Sequence, residues 1–247
     1  MNWDNSRVIN ELSQEKLFDQ ATGRLRKFIQ EYDGDHINIA LPGGRTVEGF
    51  LKSVLKNYSK EDFVKLKFYP LDEFSRSPQR SESNFDICNR VLYEPAIKSG
   101  LISAEQVYRY EFSKENFNSD IEALSTDLEA RGGKFNFIML GSGGGLYDNG
   151  SEDMGHVAAI FANREDVFLS KDNFYLEQNA PKYPQFRMTA TPHLILRSDL
   201  IFGFIITEQK RNVLNYFLND KISMIESPIK LIKESQNSYL YTDIGTN

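Results

Sequence analysis

Apolar and polar residues alternate along the chain with two different periods. Residues 17–32 carry apolar side chains at the spacing of an amphipathic helix, and the same spacing returns over 47–58. Between them, Ile37 to Leu41 is a short apolar run typical of a buried parallel strand. The remaining predicted elements are strands at 64–71, 107–112, 135–140, 174–177, 188–191, 200–207 and 239–242, and helices around 84–97, 119–130 and 213–218.

This order of elements predicts an α/β fold. Strands that alternate with helices form a mostly parallel central sheet with helices on both faces, in a three-layer sandwich. The chain has 247 residues, which is enough for one large domain of this kind, and it shows no internal repeat or low-complexity linker. We therefore expect a single domain over residues 1–247.

Composition narrows the classes of function. With 40% hydrophobic and 26% charged residues, the chain resembles an ordinary soluble globular protein. The net charge of −6 argues against nucleic acid as a partner, because binding a phosphate backbone requires a basic surface. The sequence contains no apolar run long enough to span a membrane and no N-terminal secretion signal. We expect a cytoplasmic protein without a membrane partner, either a monomer or a small homo-oligomer.

The sequence offers little for a metal or disulfide site. Cys88 is the only cysteine, which excludes an intrachain disulfide and a cysteine-based zinc site. His36, His156 and His193 are widely spaced and show no metal-ligand pattern. We therefore expect no metal and no organic cofactor, with Cys88 packed in the interior and His36 and His193 in structural or surface positions.

The turn after the strand at Ile37–Leu41 is the most informative local pattern. Gly43 and Gly44 follow the strand directly and lead into the helix over 47–58. Free backbone N–H groups and the positive end of the helix dipole meet at such a turn, and this geometry binds phosphate. Arg45 adds charge, and Thr46 is placed to cap the helix or to donate a hydroxyl. A plain strand-to-helix connection is the alternative interpretation, since the turn matches neither common nucleotide-binding glycine motif.

Three further strand ends carry polar or titratable residues. Asp72-Glu73 follows the strand at 64–71, a glycine-rich segment leads to His156, and Lys210 follows the strand at 200–207. Ligands of a parallel sheet bind outside the carboxyl ends of its strands, so we expect these segments to converge on one crevice. The expected phosphate cradle consists of Gly43, Gly44, Arg45, Thr46 and Lys210.

Several motifs then occur in a recognisable order. They are Pro-Gly-Gly-Arg-Thr from residue 42, Leu-Asp-Glu from 71, Glu-Ser-Asn from 82, Gly-His-Val-Ala-Ala-Ile-Phe from 155, Arg-Met-Thr from 187 and Thr-x-x-Lys from 207. Over residues 37–218 this order resembles the 6-phosphogluconolactonase and glucosamine-6-phosphate deaminase superfamily. The resemblance implies an α/β sandwich around a parallel-rich sheet and a small phosphorylated sugar as substrate, without a cofactor.

The two branches of that superfamily differ in one motif. Deaminases carry a glutamate of the acid–base relay where this chain has Phe161, whereas Ala158, Ile160 and Phe161 are similar to the lactonase form. The resemblance therefore implies hydrolysis of 6-phosphogluconolactone to 6-phosphogluconate, a step of the pentose phosphate pathway. A glucosamine-6-phosphate deaminase or isomerase, or a sugar-phosphate-binding protein without catalysis, remain as alternatives.

The chain departs from the lactonase pattern at three places. Phe74 replaces an arginine of the family, and Arg76 is a candidate substitute. Met154 stands where the family has an aspartate, with Asp153 one residue upstream. The segment from Gly141 to Gly155 is longer than usual, and its glycines favour a mobile flap over the site.

Opening a lactone with water requires a base and donors for the developing oxyanion. His156 is the candidate base because its ordinary pKa lies near neutrality. Asp72 is a candidate to orient that imidazole or to bind substrate hydroxyls. Glu73 is assigned to substrate binding, with holding the loop as the alternative. Arg187 is a candidate phosphate or carboxylate ligand, with a surface salt bridge as the alternative.

Overall fold

A computed structural model describes residues 4–74 and 82–245 of the chain. Within these residues a six-stranded parallel sheet has the order β1-β9-β8-β5-β2-β3. Its strands are β1 (Val8–Asn10), β2 (Ile37–Leu41), β3 (Leu66–Pro70), β5 (Phe137–Gly141), β8 (Leu200–Ile205) and β9 (Ser238–Thr242). The α/β class and the mostly parallel sheet predicted from the sequence are confirmed.

A second sheet with three antiparallel strands has the order β4-β7-β6 in the described part of the chain. Its strands are β4 (Asp72–Phe74), β6 (Phe174–Glu177) and β7 (Arg187–Ala190). The strand pieces expected near 174–177 and 188–191 are therefore present, but they belong to this smaller sheet. β4 follows β3 after a single residue, so Asp72 and Glu73 lie on a strand instead of in a loop.

Helices cover both faces of the large sheet. The helices are α1 (Gln14–Glu31), α2 (Arg45–Asn57), α3 (Lys60–Phe63), α4 (Asn84–Cys88), α5 (Glu94–Lys98), α6 (Phe117–Glu129), α7 (Glu165–Leu169), α8 (Pro192–Ile195), α9 (Arg211–Leu218) and α10 (Leu231–Glu234). A π-helical turn at Asn89–Tyr93 joins α4 to α5. Among the helices of the described residues, none has the length and apolar character needed to cross a membrane.

Alternate residues of each central strand enter different apolar layers. Ile39 of β2 packs in the layer that includes Phe50 of α2, whereas Ala40 packs in the layer of α6 and α9. β5 repeats this alternation, with Met139 in the first layer and Ile138 in the second. Burial on both faces explains why these strands are almost uniformly apolar in sequence.

One predicted strand is wrong, and the short strand β1 was missed. The segment 107–112 forms no strand; it makes a single bridge between Val107 and Phe68. Its alternation arises because Tyr110 and Phe112 are buried in the second layer without a hydrogen-bonded ladder. β1 was not predicted, because three residues are too short to show a period, and it forms by pairing with β9.

The order of the strands determines where a ligand site can form. β3 lies beside β2 on one side of it. The later strands β5 and β8 lie on the other side of β2, so the order of the strands reverses at β2. This reversal places the carboxyl ends of β2 and β5 at a topological switch point, where crevices form in open parallel sheets.

Candidate active site

A cleft of about 280 Å³ lies at this switch point. Eight of the nine residues predicted for the site line it, namely Gly43, Gly44, Arg45, Thr46, Asp72, His156, Arg187 and Lys210. Glu73 is not among the lining residues. Asn84 of the Glu-Ser-Asn motif also lines the cleft, together with Ser142 and Lys182, which the sequence did not single out. A larger cavity of about 520 Å³ contains none of the predicted residues, so the smaller cleft is the candidate site.

The glycine turn between β2 and α2 forms one wall of the cleft. Gly44 is the N-cap of α2 and has a φ of 99°, a conformation that favours glycine. Gly43 lies against Asn84, and a Cβ at this position would approach the Asn84 Oδ1 to 2.0 Å. Because Gly44 is the N-cap, Thr46 does not cap the helix, which was one of its two predicted roles. Thr46 lies in the first turn of α2 and lines the cleft.

His156 and Asp153 form a buried hydrogen-bonded pair. The His156 Nδ1 lies 2.5 Å from the Asp153 Oδ2, and the two residues are 8% and 3% exposed. Burial alone would raise the pKa of Asp153, but His156 and the surrounding donors hold it well below its usual value. Asp153, and not Asp72, therefore orients the imidazole. The chain thus keeps an aspartate partner for His156, one residue upstream of the position that Met154 occupies.

Asp153 also organises the backbone around His156. Its Oδ1 accepts hydrogen bonds from the backbone N–H groups of Gly155 and His156, at 3.1 and 3.0 Å. Its Oδ2 accepts one from the Gly144 N–H at 3.0 Å. Gly143 passes so close to the pair that a Cβ there would meet the His156 Nδ1 at 1.8 Å. The glycines of this segment therefore allow the backbone to approach the pair closely.

Lys182 contacts the other nitrogen of the His156 ring. Its Nζ lies 2.8 Å from the His156 Nε2. An ammonium group only donates hydrogen bonds, so Nε2 accepts and the ring proton resides on Nδ1, facing Asp153. Burial, followed by the positive charge of Lys182, lowers the pKa of His156 from 6.5 to about 4. The imidazole is therefore neutral near pH 7 and can accept a proton at Nε2.

Lys210 lies at the start of α9, as predicted, and reaches back to the end of β5. Its Nζ donates a hydrogen bond to the Ser142 carbonyl at 2.6 Å. Burial lowers the pKa of Lys210 below its ordinary value of 10.5. The Ser142 side chain is 6% exposed, and its Oγ has no hydrogen-bond partner within residues 4–74 and 82–245. The Lys210 ammonium and the Ser142 hydroxyl can thus serve an anionic ligand.

Arg187 is buried, so it does not lie on the surface, where the alternative interpretation placed it. Its Nε donates to the Pro184 carbonyl at 2.8 Å, and the residue is 2% exposed. Arg187 pairs with Phe74 across β7 and β4, and its Cζ lies 5.2 Å from the centre of the Phe74 ring. Phe74 therefore supports the Arg187 guanidinium from one side. Arg76, the other candidate cation, lies outside the described residues.

Glu73 has a structural role, which corrects its assignment to substrate binding. Its Oε1 accepts hydrogen bonds from the backbone N–H groups of Phe74 and Asn84, and its Oε2 accepts one from Phe85. Burial raises the pKa of Glu73 to about 7 against these donors. Its carboxyl group thus fixes the start of α4, in agreement with the alternative role of holding the loop. Asn84, positioned in this way, donates to the Asp72 carbonyl at 2.9 Å.

The segment between Gly141 and Gly155 contains an ordered hairpin. Leu146 pairs with Glu152, and the Asp153 N–H donates to the Gly145 carbonyl at 2.8 Å. These contacts indicate a braced turn, unlike the mobile flap expected from the glycine content. No group of three His, Cys, Asp or Glu side chains that could hold a metal ion occurs among the residues described.

The chain is similar to several known proteins in sequence and in fold. A curated 6-phosphogluconolactonase of Borreliella burgdorferi is 27% identical over 219 residues, which covers 88% of each chain. A second, from Treponema pallidum, is 25% identical and covers 74% of this chain and 72% of its own length. The solved structure of a 6-phosphogluconolactonase from Thermotoga maritima superposes with a TM-score of 0.74 at 18% identity, covering 95% of this chain and 96% of that one.

A match to one protein family extends over most of the chain. The family described as glucosamine-6-phosphate isomerases/6-phosphogluconolactonase matches residues 11–241. This range contains all the residues predicted for the site, together with Asp153 and Lys182. The chain belongs to the glucosamine-6-phosphate isomerase/6-phosphogluconolactonase family.

Proposed function

We propose that this protein hydrolyses 6-phosphogluconolactone to 6-phosphogluconate. The observation that carries the proposal is the contact of His156 with both Asp153 and Lys182, in a cleft that Arg45, Arg187 and Lys210 also line. The curated relatives from Borreliella burgdorferi and Treponema pallidum, both named 6-phosphogluconolactonase, support the same reaction.

His156 supplies the base in this reaction. Its Nε2 removes a proton from water while the water oxygen attacks the lactone carbonyl carbon. The carbonyl π electrons move to the oxygen and give a tetrahedral oxyanion. Asp153 stabilises the imidazolium that forms, because its carboxylate accepts the Nδ1 proton in a hydrogen bond. When the intermediate collapses, the bond between the carbonyl carbon and the ring oxygen breaks, and the ring oxygen takes the proton from Nε2.

Lys182 has two consecutive roles in this scheme. In the free protein its ammonium occupies the Nε2 position and lowers the basicity of His156. A bound lactone offers this ammonium an oxygen acceptor, which releases Nε2 for water. The Lys182 charge then stabilises the oxyanion, as donors aimed at developing charge do in acyl transfer.

The phosphate group occupies the opposite wall of the cleft in our proposal. Gly43 and Gly44 present the N-terminal N–H groups of α2, and Arg45 and Lys210 contribute positive charge there. Arg187 and Asp72 also line the cleft, and we assign them to the carboxyl end and the hydroxyl groups of the sugar acid. Binding the non-reacting phosphate fixes the lactone carbonyl near His156.

Phe161 argues against the deaminase alternative. It occupies the position at which the resemblance places the glutamate of the deaminase relay. Its ring stacks on His156, with the ring centres 5.0 Å apart, and the residue is 1% exposed. An apolar ring here cannot transfer protons. The intact Asp153–His156 pair likewise favours catalysis over a protein that only binds sugar phosphates.

Phosphorus NMR of a freshly prepared lactone solution tests the proposal. The purified protein should convert 6-phosphogluconolactone to 6-phosphogluconate faster than the spontaneous reaction. In a separate ammonia assay, it should release no ammonia from glucosamine-6-phosphate. Ammonia release would establish the deaminase instead. Binding of 6-phosphogluconate without acceleration of hydrolysis would establish a non-catalytic sugar-phosphate-binding protein.

A further inference from the structure

We infer that the hairpin at residues 145–153 is a positioning element, in which Tyr147 holds the Asp153–His156 pair and Asp148 holds the turn that carries Lys182. This inference rests on the proposed function, since it assigns the two residues to the same reaction. It differs from the expectation of a flap, because the hairpin contributes fixed contacts on both sides of His156.

Tyr147 contacts the catalytic pair from the hairpin. Its hydroxyl donates a hydrogen bond to the Asp153 Oδ1 at 2.9 Å, and the residue is 8% exposed. Its ring packs edge-on against Phe161, with centres 5.9 Å apart, and Phe161 stacks on His156. Tyr147 therefore constrains the carboxylate directly and the imidazole through Phe161.

Asp148 contacts both neighbours of Lys182. Its backbone N–H donates to the Pro181 carbonyl at 3.3 Å, and its Oδ2 accepts a hydrogen bond from the Tyr183 N–H at 2.8 Å. The two bonds flank Lys182 on either side along the chain. They fix the backbone from which the Lys182 ammonium extends to the His156 Nε2.

The base of the hairpin is anchored to α9. Glu152 accepts hydrogen bonds from the Asn212 Nδ2 at 3.0 Å and from the Tyr216 hydroxyl at 2.7 Å. Lys210 directly precedes this helix. One short hairpin thus connects the segments that carry the base, the Lys182 ammonium and Lys210. A shift of the hairpin would move Asp153 and Lys182 relative to His156. Such a shift should lower the rate, because catalysis depends on these distances.

The Tyr147→Phe variant tests the first contact. It keeps the ring against Phe161 and removes only the donor to Asp153, so the protein should remain folded. We expect kcat to fall about tenfold, the effect of losing one hydrogen bond to a buried charge, with KM unchanged. The Tyr175→Phe variant is the matched control, because the Tyr175 hydroxyl also donates to an aspartate, Asp166, outside the cleft. An unchanged kcat in Tyr147→Phe would overturn the role of Tyr147.

The titration of His156 by NMR gives a readout that does not depend on activity. The charged groups around this imidazole are Asp153, Lys182 and Arg187, and Lys210 acts on Asp153. In Tyr147→Phe, the Asp153 carboxylate loses a donor and pairs more strongly with the imidazolium, so the pKa of His156 should rise. In Asp148→Ala, the Lys182 charge is released from Nε2 and the pKa should rise by about one unit.

Combination with Lys182→Met completes the test. If Asp148 acts through Lys182, Asp148→Ala should lower kcat/KM severalfold in the wild-type background and have no further effect in Lys182→Met. Equal losses in both backgrounds, or an unchanged His156 titration in Tyr147→Phe and Asp148→Ala, would overturn the inference. A wild-type protein that does not hydrolyse the lactone would refute the proposed function alone, since the His156 titration tests the positioning role separately.

Discussion

Lys182 and Asp153 contact opposite nitrogens of the His156 ring, with the Lys182 Nζ 2.8 Å from Nε2. This arrangement assigns the proton to Nδ1 and leaves Nε2 as the basic atom. It also explains how a buried imidazole remains neutral beside a carboxylate. Burial opposes protonation of His156 most strongly and lowers its pKa, and the positive charge of Lys182 acts in the same direction.

The pH dependence of kcat/KM should therefore have its ascending limb near pH 4. Below this pH His156 takes up a proton and no longer acts as a base, so activity falls as the pH decreases through its pKa of about 4. The limb near neutral pH that an unperturbed histidine would give is not expected. In Lys182→Met the limb should move upward, toward the ordinary pKa of 6.5. A limb that stays in place would show that Lys182 does not act on His156.

The Lys210→Ala variant should weaken phosphosugar binding. Lys210 contributes a half-buried ammonium beside the glycine turn, and losing a charge-assisted hydrogen bond costs about 1.5–3 kcal/mol. Calorimetric titration with 6-phosphogluconate measures this loss. Lys56→Ala is the control, because the Lys56 ammonium pairs with Glu15 on the surface at 3.2 Å. Unchanged affinity in Lys210→Ala would remove Lys210 from the phosphate site.

The Gly143→Ala variant should lose most of its activity. The added Cβ would overlap the His156 Nδ1 and lie 2.3 Å from the Asp153 Oδ2, so the pair must move. A displacement of about 1 Å costs on the order of 100-fold in rate. Gly23→Ala is the control, since a Cβ at Gly23 would have no atom within 4 Å beyond its own helix backbone and chain neighbours. Gly23 lies inside α1, and its replacement should raise the free energy of unfolding by about 0.5–1 kcal/mol with unchanged kcat.

Hydrogen exchange distinguishes a braced hairpin from a flap. The amides of Tyr147 and Asp153 donate hydrogen bonds within the hairpin, to Ser151 and Gly145. We expect slow exchange at these two amides in the free protein, with little change when 6-phosphogluconate is added. Fast exchange that becomes slow only with the ligand would restore the interpretation of this segment as a mobile flap.

The sequence predicted the parts of the site that depend on local order. β2, the glycine turn and α2 are adjacent in the chain, so the apolar run, Gly43-Gly44 and the helical period were sufficient to locate them. His156 was identified in the same way, from a motif after β5. The alternation of Tyr110 and Phe112 led to the wrong prediction of a strand at 107–112, because aromatic residues buried in a loop produce the same pattern as a strand.

The remaining parts depend on tertiary contacts. Lys182 lies in the irregular segment between β6 and β7 and does not follow a strand of the large sheet in sequence. Only folding brings it to His156. The sequence shows only that Lys182 lies two residues before Pro184 and five before Arg187. This position does not indicate that Lys182 contacts His156. The role of Asp153 was likewise hidden, because the spacing to His156 differs by one residue from the family pattern.

The most direct test of His156 as the catalytic base compares kcat for lactone hydrolysis in wild-type protein and in His156→Asn, after subtraction of the spontaneous rate. Asparagine has nearly the same size near the backbone but cannot accept the proton, so kcat should fall about 10²–10⁴-fold with little change in KM. Circular dichroism should confirm that the variant remains folded. A variant that retains more than about half of the wild-type kcat would contradict the assignment of His156 as the base, because general-base catalysis contributes far more than a factor of two.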